Sequence, residues 1–282
     1  MSNSMSDPFT LIDQTILVTG GGGGIGADIA RQLARAGATV IVHYRHSAEN
    51  AEQVVADILD EGHLALTMQA DLSQENETRG LFEKLAASGY HLNGLVNNAA
   101  SMDVCDLQDM SLEQWQQMNQ TNMDSAFLTT QLFAAQPKTV DGHSAMRAIV
   151  NIASIEGLDP AQGHSHYATS KAAMLMFTKA TALELGASGV RANSVSPGLV
   201  EREGIRDQWP EGVERWEAKA PSASMGKPLD IAYAVQYLLS PAAAWITGEN
   251  LVEPLVTEGS PLRSTTGLTV RLYSPALLPI NR

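Results

Sequence analysis

The chain has 282 residues, 31 of them acidic and 18 basic, for a net charge of −13. At roughly 150 residues per domain that length allows one or two domains, and 44% apolar residues suffice for a packed core. The composition excludes a disordered chain and, with Cys105 as the single cysteine, a disulfide framework or four-cysteine zinc site.

No apolar run approaches the roughly 18 residues of a transmembrane helix, and Met1 to Thr10 lacks the pattern of a secretory signal. The acidity argues against phosphate-backbone binding. The expectation is a cytoplasmic protein with neither a nucleic-acid nor a membrane partner.

Short apolar runs alternate with helical patterns from residue 15 to about 252. Thr15–Thr19 reads as a strand that ends in glycines. Ile25, Ile29 and Leu33 then recur at helical spacing until Gly37. Thr39–Tyr44 is the second strand, and Val54, Val55, Ile58 and Leu59 mark the inner face of the second helix. Further strands are expected over Ala65–Ala70, Gly94–Asn97, Ala148–Ala153 and Arg191–Val195, with helices over Leu112–Ala135 and Tyr167–Leu185. Gln136–Arg147 reads as an exposed loop. Strict alternation of strand and helix predicts an α/β fold, a doubly wound parallel sheet with helices on both faces. Residues 254–282, rich in Pro, Ser, Thr and Leu, carry +2 against −15 for the rest and read as an atypical tail outside the sheet domain.

The first strand opens onto Thr19-Gly20-Gly21-Gly22-Gly23-Gly24-Ile25-Gly26 and then directly onto a helix. Glycines let the backbone approach a pyrophosphate, and the helix N-terminus offers unpaired N–H groups. A flexible linker would not sit between a buried strand and an amphipathic helix. Gly20, Gly22, Gly23 and Ile25 are the expected cradle.

Tyr167 and Lys171 stand four apart on one predicted helix and so share a face. A phenol with a pKa near 10 is a poor acid–base at neutral pH, and a nearby ammonium is expected to lower it. Ser154 falls at the C-terminal end of a predicted strand, where α/β sheets place their sites.

T-G-x-x-x-G-I-G with Tyr167-Ala-Thr-Ser-Lys171 resembles the short-chain dehydrogenase/reductase family. Asn97-Asn98-Ala99-Ala100, Ile149-Val150-Asn151-Ile152-Ala153-Ser154 and Ser196-Pro197-Gly198 fit it in the same order. The likeness covers roughly residues 10–252 and leans toward 3-oxoacyl-carrier-protein reductases. It implies one Rossmann-type domain over 1–253 with about seven strands, a mobile substrate lid near 198–225 and assembly as a homo-oligomer, tetramer or dimer. It also implies that Tyr167 exchanges a proton with the substrate oxygen, Ser154 hydrogen-bonds that oxygen and Lys171 holds the nicotinamide ribose. Asn122, favoured over Asn119 by its spacing to Phe127, would support a proton relay. Asp71 and Leu72 would bracket adenine, Asn98 and Ala99 would lie beneath the ribose, and Val200 would also touch the cofactor. The departures are Ala100 in place of a glycine, Arg202 where many members carry a threonine, and no Asp-Gly-Gly turn after Leu251-Val252.

An acid at the end of the second strand would bond the ribose 2′-hydroxyl and repel a 2′-phosphate. This chain reads Val42-His43-Tyr44-Arg45-His46 instead, with a guanidinium suited to a phosphate dianion. NADP(H) is therefore the expected cofactor, with NAD(H) possible. No metal is called for: His164 and His166, just before Tyr167, lack a carboxylate cluster at ligand spacing and read as polar loop residues. Cys105 has no visible thiolate-stabilising neighbours. Trp209 and Trp216 either line a substrate pocket or pack the lid onto the body. The function expected is reduction of a ketone or 3-oxo group to a secondary alcohol on a small-molecule substrate. The alternatives are a polyol or sugar dehydrogenase of the same family and a binding protein that senses NADP without turnover.

Overall fold

The apolar runs fall on strands that alternate with helices as far as residue 253. The structure, a computed structural model, describes residues 7–253 except 138, 141, 142, 145 and 146. Strand β1 (Thr15–Val18) leads through the glycine loop into α1 (Gly24–Arg35). β2 (Thr39–Tyr44), α2 (Ala48–Asp60), β3 (Leu64–Gln69), α3 (Glu75–Ala87) and β4 (Gly94–Asn97) follow. Helix α4 (Leu112–Asn119) passes through one π turn (Gln120–Asp124) into α5 (Ser125–Ala135). A two-residue pair, β5 (Thr139–Val140) with β6 (His143–Ser144), precedes β7 (Arg147–Ile152). Then come α6 (Ser165–Leu185), β8 (Val190–Pro197), α7 (Ile205–Gln208), α8 (Pro210–Lys219), α9 (Pro228–Leu239) and β9 (Asn250–Glu253).

Seven strands pair in the order β3-β2-β1-β4-β7-β8-β9, every pair parallel. The winding reverses between β1 and β4, the crevice where doubly wound sheets place their ligands. Side chains alternate across the sheet. Ile16, Val18, Val40 and Val42 meet Leu33, Ile58 and Val235 of α1, α2 and α9 on one face. Leu17, Ile41, Leu95 and Ile149 meet Leu81, Leu85 and Phe133 of α3 and α5 on the other. Both faces are covered, which is why these strands read as unbroken apolar runs.

Four local expectations change. Leu59 leaves the inner face of α2 and is exposed, whereas Val54 and Ile58 are buried there. Helices α3 and α9 escaped the periodicity reading. In α3 the apolar residues sit among charges, and α9 is opened by Pro228 at its first turn and by Asp230 accepting from the Lys227 backbone N–H. The helix over 112–135 carries a π turn rather than running uniformly. Arg147 belongs to buried strand, not loop: its guanidinium donates to the Phe133 carbonyl and lies 4.3 Å from that ring's centroid. The tail over 254–282 lies outside the described residues.

At Gly26, where α1 passes the loop after β1, a Cβ would stand 2.3 Å from the Gly20 carbonyl oxygen and 2.5 Å from Asn98 Nδ2. Only a residue without a side chain fits. Gly26→Ala should destabilise the fold by about 1–3 kcal/mol, read as a lower urea midpoint at unchanged m-value. An unchanged midpoint would show that the helix can shift freely there.

Candidate active site

The C-terminal ends of β1, β4 and β7 open onto a cleft of about 1000 Å³. Its floor is the glycine loop. Gly20, Gly23, Gly24, Ile25 and Gly26 line it, and a Cβ at Gly23 or Gly24 would meet nothing within 4 Å, so the space above the α1 N-terminus is open. Gly22 departs from expectation. It packs against Ala51 of α2, where a Cβ would lie 3.2 Å away, and lines a second hollow of about 1070 Å³ instead.

The loop is held from three sides. Thr19 Oγ1 donates to the Val96 carbonyl at 3.1 Å and accepts from the Asn98 and Ala99 N–H groups. Asn98 Nδ2 donates to the Thr19 and Gly20 carbonyls at 2.9 and 3.1 Å. The Gly20 N–H donates to His43 Nδ1 at 3.1 Å, and His43 Nε2 lies 3.0 Å from the Ala70 carbonyl. Burial lowers the His43 pKa to about 4, so the ring is neutral and Nε2 carries the proton that Ala70 accepts. Sequence reasoning missed His43; the signal was a polar residue in a strand buried on both faces.

At the far end of the cleft Arg45 lies with Asp71 and Leu72. Arg45 Nη1 stands 3.9 Å from Asp71 Oδ1 and the side chain is half exposed, so little of its charge is neutralised. Asp71 accepts from the Ser73 N–H and hydroxyl at 3.0 and 2.7 Å. No carboxylate stands at the end of β2, where Tyr44 is followed by Arg45 and His46.

At the other end Ser154, Tyr167 and Lys171 line the same cleft. Ser154 follows β7 and its Oγ accepts the Glu156 N–H at 3.1 Å. Tyr167 and Lys171 lie on α6, and Lys171 Nζ donates to the Ile152 carbonyl at 2.8 Å, 5.6 Å from the Tyr167 ring centroid. The pKa expectation is overturned in direction. Burial pushes the Tyr167 phenol up to about 12, and the hydrogen bond from Ser154 recovers only part of that. The same burial lowers Lys171 to about 8. A low-dielectric wall penalises both charged forms, which sets the direction of both shifts.

Asn122 lies in the π turn and is fully buried. The extra residue in that turn carries its amide to Ser101, whose carbonyl it meets at 3.0 Å and whose N–H it accepts at 2.8 Å. It also donates to Ser170 Oγ at 3.0 Å. Asn119 instead bonds Trp115 of its own helix.

The lid candidates separate. Trp209 lines the cleft with Val200, whereas Trp216 packs against Gly198 and donates to the Ser224 carbonyl. His166 belongs to α6 rather than to a loop and is buried, while His164 Nδ1 lies 2.8 Å from Glu156. Cys105 lines the cleft, with its Sγ 3.9 Å from Gln114 Oε1.

A family model described as enoyl-(acyl carrier protein) reductase matches residues 21–253. A cyclopentanol dehydrogenase of Comamonas testosteroni is 33% identical over 243 residues, 85% of this chain and 95% of that protein. A 3-oxoacyl-[acyl-carrier-protein] reductase of Synechocystis sp. is 34% identical over 240 residues, 85% and 94% of the two chains. Among solved structures, a short-chain type dehydrogenase/reductase from Mycobacterium marinum superposes with a TM-score of 0.79 at 34% identity, covering 88% of this chain and 96% of that one. A gluconate 5-dehydrogenase from Burkholderia cenocepacia, in complex with NADP and tartrate, gives 0.79 at 27% identity over 87% and 95%. With these relatives, the chain is a nicotinamide-dependent oxidoreductase acting on CH–OH and C=O groups. The chain belongs to the short-chain dehydrogenase/reductase family.

His43 makes stability depend on pH. Its pKa is 6.5 when free and about 4 when folded, so the unfolded chain binds the extra proton between those values. The stabilisation is complete above pH 6.5 and falls away toward pH 4, by about 3 kcal/mol in all. Urea unfolding of wild type and His43→Gln across this window should show a steeper acid loss in wild type; parallel curves would rule the histidine out.

Proposed function

We propose that the protein is an NADP(H)-dependent oxidoreductase that reduces a ketone or 3-oxo group to a secondary alcohol. The observation that carries this is one cleft lined at one end by Ser154, Tyr167 and Lys171 and at the other by the glycine loop and Arg45. The residues fit the cofactor: Gly20, Gly23, Gly24 and Ile25 with the α1 N-terminus suit a pyrophosphate, and Asn98, Ala99 and Val200 suit the ribose and nicotinamide. Arg45 supplies the charge for a 2′-phosphate where an acid would repel it. NADP is also present in the Burkholderia gluconate 5-dehydrogenase structure. When bound, the nicotinamide supplies the hydride.

The chain's own residues handle the proton. Tyr167, kept protonated by burial, gives its hydroxyl proton to the substrate oxygen as that oxygen gains charge. Ser154 Oγ hydrogen-bonds the same oxygen and holds it against the phenol. Lys171, fixed by the Ile152 carbonyl, contributes positive charge beside the phenolate that forms and a donor for the ribose. Asn122 positions the 101 loop and α6 around them. The segment over 198–225, with Trp209 on the cleft, acts as the lid.

A second reading, oxidation of a polyol or sugar alcohol, draws support from the polar wall of Ser101, Asp103, Gln114 and Gln117 and from the named gluconate 5-dehydrogenase. Assembly as a homo-oligomer is supported by exposed apolar side chains on α5 and α6: Phe127, Met176 and Leu183. A cytoplasmic location accords with the lone cysteine; among the described residues no helix is long and apolar enough to cross a membrane. NADPH consumption across a panel of ketones, 3-oxoacyl thioesters and, in reverse, polyols tests the reading. Cofactor binding with no turnover on any of them would replace it with the sensing role.

Tyr167→Phe should keep cofactor affinity and lose nearly all turnover, because it removes only the transferable proton. Retention of more than about a tenth of the wild-type rate would exclude Tyr167 as the acid.

Arg45→Asp should move the preference from NADPH toward NADH by about 10- to 100-fold, the equivalent of a lost charge-assisted contact of about 1.5–3 kcal/mol. The check is kcat/KM with both cofactors; an unchanged ratio would place Arg45 outside phosphate recognition.

A further inference from the structure

We propose that Arg202 anchors a carboxylate on the substrate, so that the site takes a hydroxy or oxo acid rather than an uncharged ketone. The proposal rests on the reading of this cleft as a carbonyl–alcohol site and names the substrate class.

Arg202 lies between β8 and α7 and lines the cleft that Ser154 and Tyr167 also line. Its Nη1 donates to Gln208 Oε1 at 2.7 Å, which fixes the side chain from one side. Among the described residues no carboxylate lies within ion-pair distance of it, although Glu201 and Glu203 flank it in sequence. Glu201 instead lies 3.5 Å from Arg206 Nη2, which also stands 2.9 Å from Glu217. Arg202 is exposed at the rim of the cleft, so its guanidinium, without an ion-pair partner among the described residues, is available to an anion that enters there. Its planar fork matches a carboxylate with two parallel hydrogen bonds.

The lining beside Tyr167 is polar as well. His166, adjacent to Tyr167, lines the same cleft and is 1% exposed, yet its Nδ1 has no hydrogen-bond partner among the described residues. Asp103, on the same wall, uses Oδ2 to accept from the Ser101 hydroxyl. The His166 nitrogen presents almost no surface to the cleft, so the acceptor that a ligand meets on this side is the Asp103 carboxylate. Arg202 offers the one cleft a cation for a carboxylate and Asp103 an acceptor for a hydroxyl, as a short hydroxy or oxo acid requires.

The full-length protein saturated with NADP is titrated calorimetrically with malonate, an unreactive dicarboxylate. The wild type should bind it, Arg202→Thr should weaken the Kd by about tenfold or more, and Arg202→Lys should recover part of the loss. NADPH affinity, followed by fluorescence, should stay within about twofold in both variants, since the contact proposed is to substrate. In turnover, wild type should prefer an oxo acid to its methyl ester by about tenfold or more, and Arg202→Thr should erase that preference. Absent malonate binding in wild type, or equal binding in wild type and Arg202→Thr, would overturn the proposal. A loss confined to NADPH affinity would reassign Arg202 to the cofactor and overturn it equally. Malonate binding that depends on Arg202 in a protein that turns over no carbonyl would uphold the anion site and defeat the reaction assigned to it.

Discussion

The structure depends on one close approach, that of α1 to the loops leaving β1 and β4. Gly26 has no room for a side chain against the Gly20 carbonyl, and Asn98 reaches across from β4 to hold the Thr19 and Gly20 carbonyls. Thr19 closes the arrangement by bonding the Val96 carbonyl and the Asn98 and Ala99 N–H groups. Three separate chain segments are thereby tied at the point where the sheet reverses its winding. The helix N-terminus then points its unpaired N–H groups into the cleft rather than into protein. Neutral His43 completes the tie by accepting the Gly20 N–H from the neighbouring strand.

Behind the other end of the cleft a buried polar network sets the register of α5 and α6 on the sheet. Asn97 on β4 donates to Asn151 on β7 at 2.9 Å and to Thr130 at 3.2 Å, and its oxygen accepts from Thr129. Asn151 in turn donates to Thr178 of α6 at 2.8 Å. Apolar packing alone tolerates small slips of a helix along a sheet; satisfied buried hydrogen bonds do not. Lys171 adds its bond to the Ile152 carbonyl, two residues before Ser154. The serine of one element and the tyrosine of another are brought together by this lattice of asparagine and threonine.

The electrostatics of the site follow from the same burial. A dry wall disfavours both phenolate and ammonium, so Tyr167 moves up and Lys171 moves down. In the reaction we propose, a phenol so placed keeps its proton until a substrate oxygen beside it begins to carry charge. The ammonium is worth most at that moment, when a negative charge forms in a medium that screens it poorly. At the rim of the cleft the charges are sparsely paired. Arg45 has Asp71 at 3.9 Å and Arg202 has a neutral glutamine, so both cations remain available to anions brought in by ligands.

The fold class was legible in the sequence because parallel strands covered on both faces read as short continuous apolar runs, as the ILV, VIV and AIV cores of β1, β2 and β7 do. The glycine loop and the Tyr167–Lys171 spacing were legible for a local reason too: a tight turn and a helix face are short-range geometry. Tertiary structure decided what depends on neighbours far away in the chain. The π turn at Asn122 answers to the Ser101 backbone, the exclusion of Gly22 from the cleft answers to Ala51, and the neutral state of His43 answers to Ala70. Leu59 and Arg147 exchange their expected places because burial belongs to the packed assembly and not to the run of residues around them. The direction of the Tyr167 shift is the clearest case. Spacing puts an ammonium on the same helix face, but the dryness of the wall around the phenol exists only in three dimensions, and it reverses the sign.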